Sequence, residues 1–533
     1  MIKGIFNSKS KTIASAAIIL GAASLVSRLL GLVRDRILAG TFGAGDELDI
    51  YYAAFRIPDL VFSLLVVGAI SAGFIPVFVS YLNKDKEKSW HLANSVLNIM
   101  VLALVVASGI LIIFTPWLMK LLAPGFSPEK LALTIPLSRV MFLSPLFLAL
   151  SAVFGGILQS FRRFLAYSLG PIMYNLGIIF GVLFFIKPFG LIGLAYGVVL
   201  GSFLHALIQI PTAYLCGFRW QPVFDFKFEG VKRIFKMMPP RIVNLSLYQI
   251  TTLVITFIAS FLAVGSIAIF SLAYNILSFP LGIFGVSFTI ASFPRLSESA
   301  QEKDKDSFVK TFSATLRQIL FFVLPSSVIL IVLRTQIIQV IFGTGRFGKE
   351  DIIITAQTMA YLSISLFAQS LIPLFMRGFF AWEDTKTPLL TSFLATLIVI
   401  PLAWYWSLSL GVVGLALAIT VSSIFHLILL FIFLKKKIGF LDLGNILSST
   451  SKILIASLSA GLVIYGSLIV LTPNGTNLNI FLQSLLAGVI GILIYFLFVW
   501  IFKLEELKVF VSALINRLPW KRMPRDIEGI GNK

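Results

Sequence analysis

GLAYGVVLGSFLHALI, residues 193–208, returns at residues 414–429 as GLALAITVSSIFHLIL. The offset is 221 residues, and His205 and His426 fall on it. Two further pairs keep nearly the same spacing. GFIPVF at 73–78 and ASFPRL at 291–296 each close an apolar run at a proline before a Lys/Asp/Glu-rich loop, with an offset of 294 − 76 = 218. QSFRRFLAYSLGP at 159–171 and RGFFAWEDTKTP at 377–388 end on prolines 388 − 171 = 217 apart. Three matched segments at nearly one offset mark an internal duplication. Each copy holds six apolar runs of about 20 residues, the length that spans a bilayer. An even number of spans gives both copies one orientation, the parallel-repeat plan with a pseudo-two-fold axis along the membrane normal.

The chain has 533 residues, of which 58% are hydrophobic and 12% charged. An ordinary soluble domain carries about 25% charged residues. So apolar a chain cannot cover a water-exposed surface, which excludes globular cytosolic and disordered classes. Fourteen candidate spans lie near 13–38, 50–82, 91–116, 131–158, 164–186, 190–215, 238–264, 267–293, 312–333, 352–376, 387–407, 411–434, 452–471 and 479–502. The expected class is an all-α membrane protein of 14 transmembrane helices, with two six-helix lobes and two extra C-terminal helices. The divisions are 1–216 (first lobe, helices 1–6), 217–236 (cytoplasmic linker, with 225–236 as an amphipathic interfacial segment) and 237–436 (second lobe, helices 7–12). They continue with 437–503 (helices 13 and 14) and 504–533 (a basic tail).

With the N-terminus inside, the inner connections and termini hold 32 Lys and Arg and the outer connections hold 6. That bias places both ends in the cytoplasm. The excess of basic residues, 43 against 23 acidic, is thereby read as membrane topology rather than nucleic-acid binding. The Lys435–Lys437 run reads as an inside anchor, and the basic tail is expected to lie on anionic lipid. A single cysteine, Cys216, excludes an intrachain disulfide, and three histidines far apart, His91, His205 and His426, do not make a metal or haem centre.

The charges at bilayer depth are few, and each needs a cavity or a partner. They are Arg28, Arg34, Asp35 and Arg36 in the first span, Asp49, Arg56 and Asp59 in the second and Arg139 in the fourth. All belong to the first lobe. The second lobe offers Asn244, Gln249, Asn275 and Gln369 instead. Guanidinium binds phosphate and pyrophosphate through paired hydrogen bonds. Arg28, Arg34, Arg56 and Arg139 are therefore the candidate binding residues for an anionic substrate. Asp35, Asp49, Asp59, Asn244, Gln249 and Asn275 are candidate supporting or gating groups, and Arg36 an interfacial anchor. Arg56 and Asp59, three apart, can touch directly.

GTGRFGK at 343–349 starts like a phosphate-binding loop, but Glu350 stands where Ser or Thr should hold magnesium, so it reads as a turn. Asn474-Gly475-Thr476 reads as a plain turn. His205 and His426 read as packing residues. No nucleophile–base pairing or metal-ligand spacing is present, so neither an enzyme nor a cofactor is expected.

SRLLGLVRD at 27–35 resembles the first-helix signature of the MurJ (MviN-type) lipid II flippases. That family belongs to the multidrug/oligosaccharidyl-lipid/polysaccharide exporter superfamily. FGAGDELDIYYAAFRIPDL at 42–60, GAISAGFIPVF at 68–78 and LSRVMFLSP at 137–145 continue the likeness. So do Arg162, Arg163, Phe164, Gly170, Pro171 and Asn175, then FPLGIFGVSFTIASFPRLSE at 279–298, GTGRFGKED at 343–351 and FFAWEDTKTP at 379–388.

The resemblance implies a multi-pass protein of the bacterial cytoplasmic membrane. It would move lipid II, an undecaprenyl-pyrophosphate-linked disaccharide pentapeptide, to the outer leaflet by alternating access. The family's first-helix arginines and aspartate fall on Arg28, Arg34 and Asp35, and its second-helix acid on Asp49. Its last two helices form a groove for the polyprenyl tail. Membrane lipids and cell-wall synthesis proteins are the further partners implied, with coupling to membrane potential or to an ion the sequence does not name. Two positions depart from the pattern. Phe62 and Asn275 stand where many members have cavity arginines, and the second lobe lacks the sodium-binding carboxylate of some members. These departures favour, as the alternative substrate, another polyprenyl-pyrophosphate-linked oligosaccharide. A cation–drug antiporter would need buried second-lobe carboxylates. A non-transporting scaffold for cell-wall enzymes would tolerate loss of Arg28 and Arg34.

Overall fold

In a computed structural model of the chain, residues 13–67, 73–470 and 477–515 are described. Every regular element among them is helical. Apolar chain in a bilayer has no water for its backbone N–H and C=O groups, and a helix satisfies them internally. The first repeat runs α1 (Ile13–Phe42), α2 (Asp46–Val61), α3 (Ile75–Leu82), α4 (Lys86–Leu122), α5 (Pro128–Met141), α6 (Ser144–Ser160), α7 (Phe164–Phe180), α8 (Ile186–Phe189), α9 (Ile192–Leu207) and α10 (Ile210–Leu215). The second runs α11 (Glu229–Ala259), α12 (Ser266–Pro280), α13 (Ser287–Gln301), α14 (Lys305–Val332), α15 (Arg334–Phe342), α16 (Lys349–Ile364), α17 (Leu366–Ala381), α18 (Lys386–Leu410) and α19 (Val412–Ile438). Then come α20 (Leu443–Val470), α21 (Asn477–Ile501) and α22 (Glu505–Ile515).

The duplication is visible in these boundaries. α2 and α12 start 266 − 46 = 220 residues apart, and α9 and α19 start 412 − 192 = 220 apart. Each of the pair α2 and α12 runs into a π-helical segment, Phe62–Val67 in one copy and Leu281–Val286 in the other, 281 − 62 = 219 apart. The acidic loops end alike. Asp85 caps α4 by accepting from the Glu87 and Lys88 amides, and Asp304 caps α14 by accepting from Ser307 N. The copies differ where α4 runs unbroken for 37 residues, while its counterpart breaks at Leu333 into α14 and α15.

Among the described residues, ten helical stretches, some joining consecutive elements, are long and apolar enough to cross a membrane, or eleven when α16 and α17, bent by 43° at their junction, count as one span. Fourteen remains the sequence expectation, because the other three candidates do not pass that test. α1 concentrates four charges in its second half. α2 has 16 residues, and its π-helical continuation Phe62–Val67 borders 68–72, outside the described residues. In α11 only Gln249–Ala259 passes as a shorter apolar helix. Lys3, Lys9, Lys11, the Asn474 sequon, the tail beyond residue 515 and the Asn244 side chain also lie outside the described residues.

The chain packs as two compact units. One holds the described chain through Phe279 with Ile338–Leu362 and Pro388–His426. Its core gathers Phe74, Phe78, Phe142, Phe154 and Phe218 in one cluster and Leu48, Tyr51, Met141, Leu194 and Ala268 in another. The other unit holds Pro280–Ile337, Ser363–Thr387 and the described chain from Leu427. Its largest cluster centres on Phe321, Ile453, Tyr495 and Val499.

Lipid tails are as apolar as Leu, so helices associate through close contact, and small residues permit it. The repeated segment 193–208 shows this. Gly193, Gly197 and Gly201 lie four apart on α9. A Cβ on Gly197 would press on Gly181, and one on Gly201 would press on the Tyr174 carbonyl of α7. The second copy keeps the device as Gly414, Ala418 and Ser422, and Ser422 Oγ donates to the Ala395 carbonyl at 2.8 Å. His205 and His426 fill the same packed layers. The His205 ring is 2.5 Å from Ser151 Oγ and the His426 ring 3.4 Å from Thr391 Oγ1.

Gly201→Val is expected to destabilise the protein by about 1–3 kcal/mol through overpacking. Gly21, which has nothing within 4 Å of an added Cβ, should accept Ala without loss. Thermal unfolding of the two variants in detergent checks the pair.

Candidate functional site

A charge at bilayer depth is costly without a partner, so the partners define the site. One helix supplies most of them. Gly265, Ala268, Ser271, Asn275 and Ser278 recur every three or four residues along α12, which places them on one face. Each meets a polar group from the first repeat, within one compact unit.

At the start of α12, the amides of Gly265 and Ala268 donate to Asp49 Oδ2 and Oδ1 at 2.8 and 2.9 Å. Asp49 comes from α2 and is 2% exposed. Its carboxylate thus satisfies amides that a helix N-terminus leaves open and sits at the positive end of the helix dipole. Lys130, from α5, closes the arrangement at 2.9 Å from Asp49 and 2.6 Å from Asp46. Gly265 has φ +87°, and a Cβ there would collide with the Ala44 carbonyl, so the turn needs glycine.

One turn further, Arg56 of α2 donates from Nη2 to Ser271 Oγ at 3.2 Å and from Nε to Thr256 Oγ1 of α11 at 3.0 Å. Next, Asn275 Nδ2 donates to Asp35 Oδ2 at 2.9 Å. Last, Arg28 Nη1 donates to the Ser278 carbonyl at 3.1 Å, with its guanidinium 5.9 Å from the centre of the Phe279 ring.

The two arginines of α1 differ in state. Arg34 donates from Nε and Nη2 to Asp35 Oδ1 at 2.9 and 2.8 Å and from Nη1 to Asn175 Oδ1 at 3.2 Å. Asn175 is fixed in turn by donating to the carbonyls of Ser27 and Pro171. Arg34 is therefore largely neutralised by Asp35, which is 2% exposed. Arg28 is half-buried, and its bonded partner is a neutral carbonyl; no ion pair to it occurs among the described residues.

The remaining candidates separate. Asp59 follows Arg56 by three residues on α2, and Gln249 of α11 donates to Ser63 Oγ at 2.7 Å. Arg139 lies apart from this set: it is exposed and donates to the Ile112 carbonyl of α4 at 3.1 Å. Phe62 is half-buried against the Phe74–Phe78 core cluster. Arg36 donates to the Val340 and Ile341 carbonyls, which anchors the end of α1 on α15. The phosphate-loop look-alike is a turn: Arg346 N donates to the Gly40 carbonyl at 2.9 Å, and Gly345 has φ +58°. No group of three or more His, Cys, Asp or Glu suited to a metal occurs among the described residues.

Lys130, Thr256, Ser271 and Ser278 were not among the sequence candidates. The signal for two of them was present, since Ser271, Asn275 and Ser278 share a helical period in an otherwise apolar span. Lys130 lies at a span end, where a lysine reads as an ordinary anchor.

A profile of the lipid II flippase MurJ family matches residues 38–486. The chain belongs to that family. It is 33% identical over 380 residues to the probable lipid II flippase MurJ of Buchnera aphidicola subsp. Acyrthosiphon pisum, covering 70% of this chain and 74% of that one. It superposes on a solved lipid II flippase MurJ in an inward closed conformation with a TM-score of 0.74 and 26% identity, over 93% of this chain and all of the other. An inward-facing multidrug-resistance MATE transporter shares the fold at a TM-score of 0.66 and 15% identity, over 79% of this chain and 98% of that one. The fold is thus that of MurJ and MATE proteins, and the family is one of lipid flippases.

Asp49→Ala should cost about 2–4 kcal/mol, because it strips a buried carboxylate from Lys130 and from the α12 amides. Asp46→Ala, at a position whose side chain is 53% exposed, should cost under about 1 kcal/mol. Unfolding midpoints in one detergent compare them.

Proposed function

We propose that this chain carries lipid II from the inner to the outer leaflet of the bacterial cytoplasmic membrane, with both termini cytoplasmic. In this reading two six-helix lobes, 1–216 and 237–436, alternate access to the charged site, and α20 and α21 offer the polyprenyl tail an apolar path. The observation that carries the reading is that one guanidinium from α1, Arg28, and one from α2, Arg56, are both held at α12, by the Ser278 carbonyl and the Ser271 hydroxyl, in a chain of the lipid II flippase family.

Hydrogen bonds between ionised partners are roughly twice as strong as neutral ones. A pyrophosphate arriving at Arg28 and Arg56 therefore outcompetes the Ser278 carbonyl and the Thr256 and Ser271 hydroxyls. Arg34 is matched by Asp35 and positions that carboxylate. As the headgroup takes the arginines, α12 loses two of its ties to α1 and α2. Binding then favours the arrangement in which these helices separate, which is how a ligand shifts a two-state equilibrium. The Asp49 contact at the far end of α12 is untouched by the headgroup and holds the outer end until that shift. The arginines also replace hydration that the anion loses on leaving water. About 2.3 kcal/mol per charge per 100 mV is available from the membrane potential to bias the cycle.

Asn275 favours a second reading of the cargo. It meets Asp35 as a neutral amide, at the position where the resemblance places an arginine in many members. With less positive charge facing the substrate, the cargo becomes another polyprenyl-pyrophosphate-linked oligosaccharide.

Native mass spectrometry of the full chain, with lipid II competing against other undecaprenyl-pyrophosphate sugars, separates these readings. Arg28→Ala with Arg56→Ala should lower retention of lipid II about 10-fold or more, since a hydrogen bond to a charged group contributes about 1.5–3 kcal/mol. Arg139→Ala should leave it within about twofold. Preferred retention of another lipid-linked sugar selects the second reading. Full retention in the double variant, with full growth of cells that depend on it, leaves the scaffold reading.

A further inference from the structure

The second compact unit contains a cavity that the α1–α2–α12 site does not use. It measures about 390 Å³ and is bounded by three elements. One face of α14 contributes Asp306, Lys310 and Arg317, the loop before α20 contributes Phe440 and Asp442, and the first turn of α22 contributes Glu505 and Glu506. These residues sit where α14 and α20 begin and α21 has ended, at one membrane end of the helices.

The charges in this cavity are unequal and spread out. Four carboxylates face two cations. Arg317 bridges Glu505 at 3.3 Å and Glu506 at 3.2 Å. Glu506 is 4% exposed and also accepts from Ser449 Oγ, yet its Oε2 is buried without a hydrogen-bond partner, as is Arg317 Nε. Asp442 takes only neutral donors, Ser313 Oγ and Asn445 Nδ2. Lys310 and Asp306 are exposed on the same helix face, and neither forms an ion pair among the described residues. The carboxylates are not gathered closely enough to hold a metal ion. The space also exceeds what a bare ion fills. Its apolar rim continues outward through Phe440, 59% exposed, and Val509, 48% exposed. Phe510 packs against Phe322 and Phe496 and holds α22 in place.

We infer that this cavity binds the headgroup of a zwitterionic aminophospholipid from the surrounding leaflet. The ammonium lies among Asp306, Asp442 and Glu505, the phosphate meets Lys310 and the edge of Arg317, and the first acyl carbons follow Phe440 and Val509. A net excess of carboxylate selects an ammonium-bearing headgroup over an anionic one, and the separated cations satisfy its phosphate. The lipid then braces α22 and the α19–α20 loop against α14.

The test is native mass spectrometry of the full chain with phosphatidylethanolamine and phosphatidylglycerol of matched acyl chains at equal concentration. The wild type should retain phosphatidylethanolamine about threefold or more over phosphatidylglycerol, the scale expected of a few partly exposed charge contacts. Asp306→Asn with Glu505→Gln should bring the ratio to about one. Lys310→Ala, at an exposed position, should lower retention of phosphatidylethanolamine without unfolding the protein, so the proposal can fail even if the double variant does not fold. Equal retention by the wild type, preference for phosphatidylglycerol, or a preference that survives both variants overturns it. None of these residues belongs to the α1–α2–α12 site, so lipid II retention in the same variants separates failure here from failure of the transport reading.

Discussion

A bilayer interior gives an unpaired charge nowhere to go, and in this protein that constraint is met largely by one helix. α12 turns a single face toward the first repeat. It offers backbone amides to Asp49, a hydroxyl to Arg56, an amide side chain to Asp35 and a carbonyl to Arg28. The order along the helix is chemically graded. The amides at its positive end take a full carboxylate, and the later groups are neutral dipoles. The first contact is thus strong and permanent in character, while the last is of the kind that an anionic ligand displaces.

The glycine faces of α7 and α9 supply the rigidity that such a site needs. Backbone-to-backbone contact leaves no side chain to yield, so α7 presents Asn175 at a fixed height beside Arg34. Asn175 in turn ties α7 to α1 through Ser27. Packing and polar site are therefore one structure in the first repeat. The second repeat keeps the packing device in weaker form, with Ala418 and Ser422 where the first has glycines.

Duplication followed by divergence accounts for the asymmetry. α2 and α12 share their start, their proline and their π-helical continuation, yet one carries charges and the other carries the dipoles that receive them. Two copies of one helical hairpin thus became donor and acceptor of the same contact. The break of the second copy at Leu333 adds α15, whose carbonyls receive Arg36.

Much of this was written in the sequence. Hydrophobic run length, the repeat at 217–221 residues and the few charges in apolar spans are local properties that need no knowledge of distance. They determined the membrane class and the duplication and singled out Arg28, Arg34, Asp35, Asp49 and Arg56 as charges that need partners, while the motifs from SRLLGLVRD onward carried the family likeness. What only the tertiary structure decided is partnership. Arg28 and Arg34 share one helix and one residue type, yet one meets a carboxylate and the other a carbonyl. Arg139 resembles them in composition but faces Ile112, away from α12. Asn275, notable in sequence as a missing arginine, is the group that holds Asp35 from 240 residues away. Charge partnership depends on which helices are brought within 3 Å, and that follows from the packing of glycine faces and helix ends far apart in the chain, which no local pattern of residues encodes.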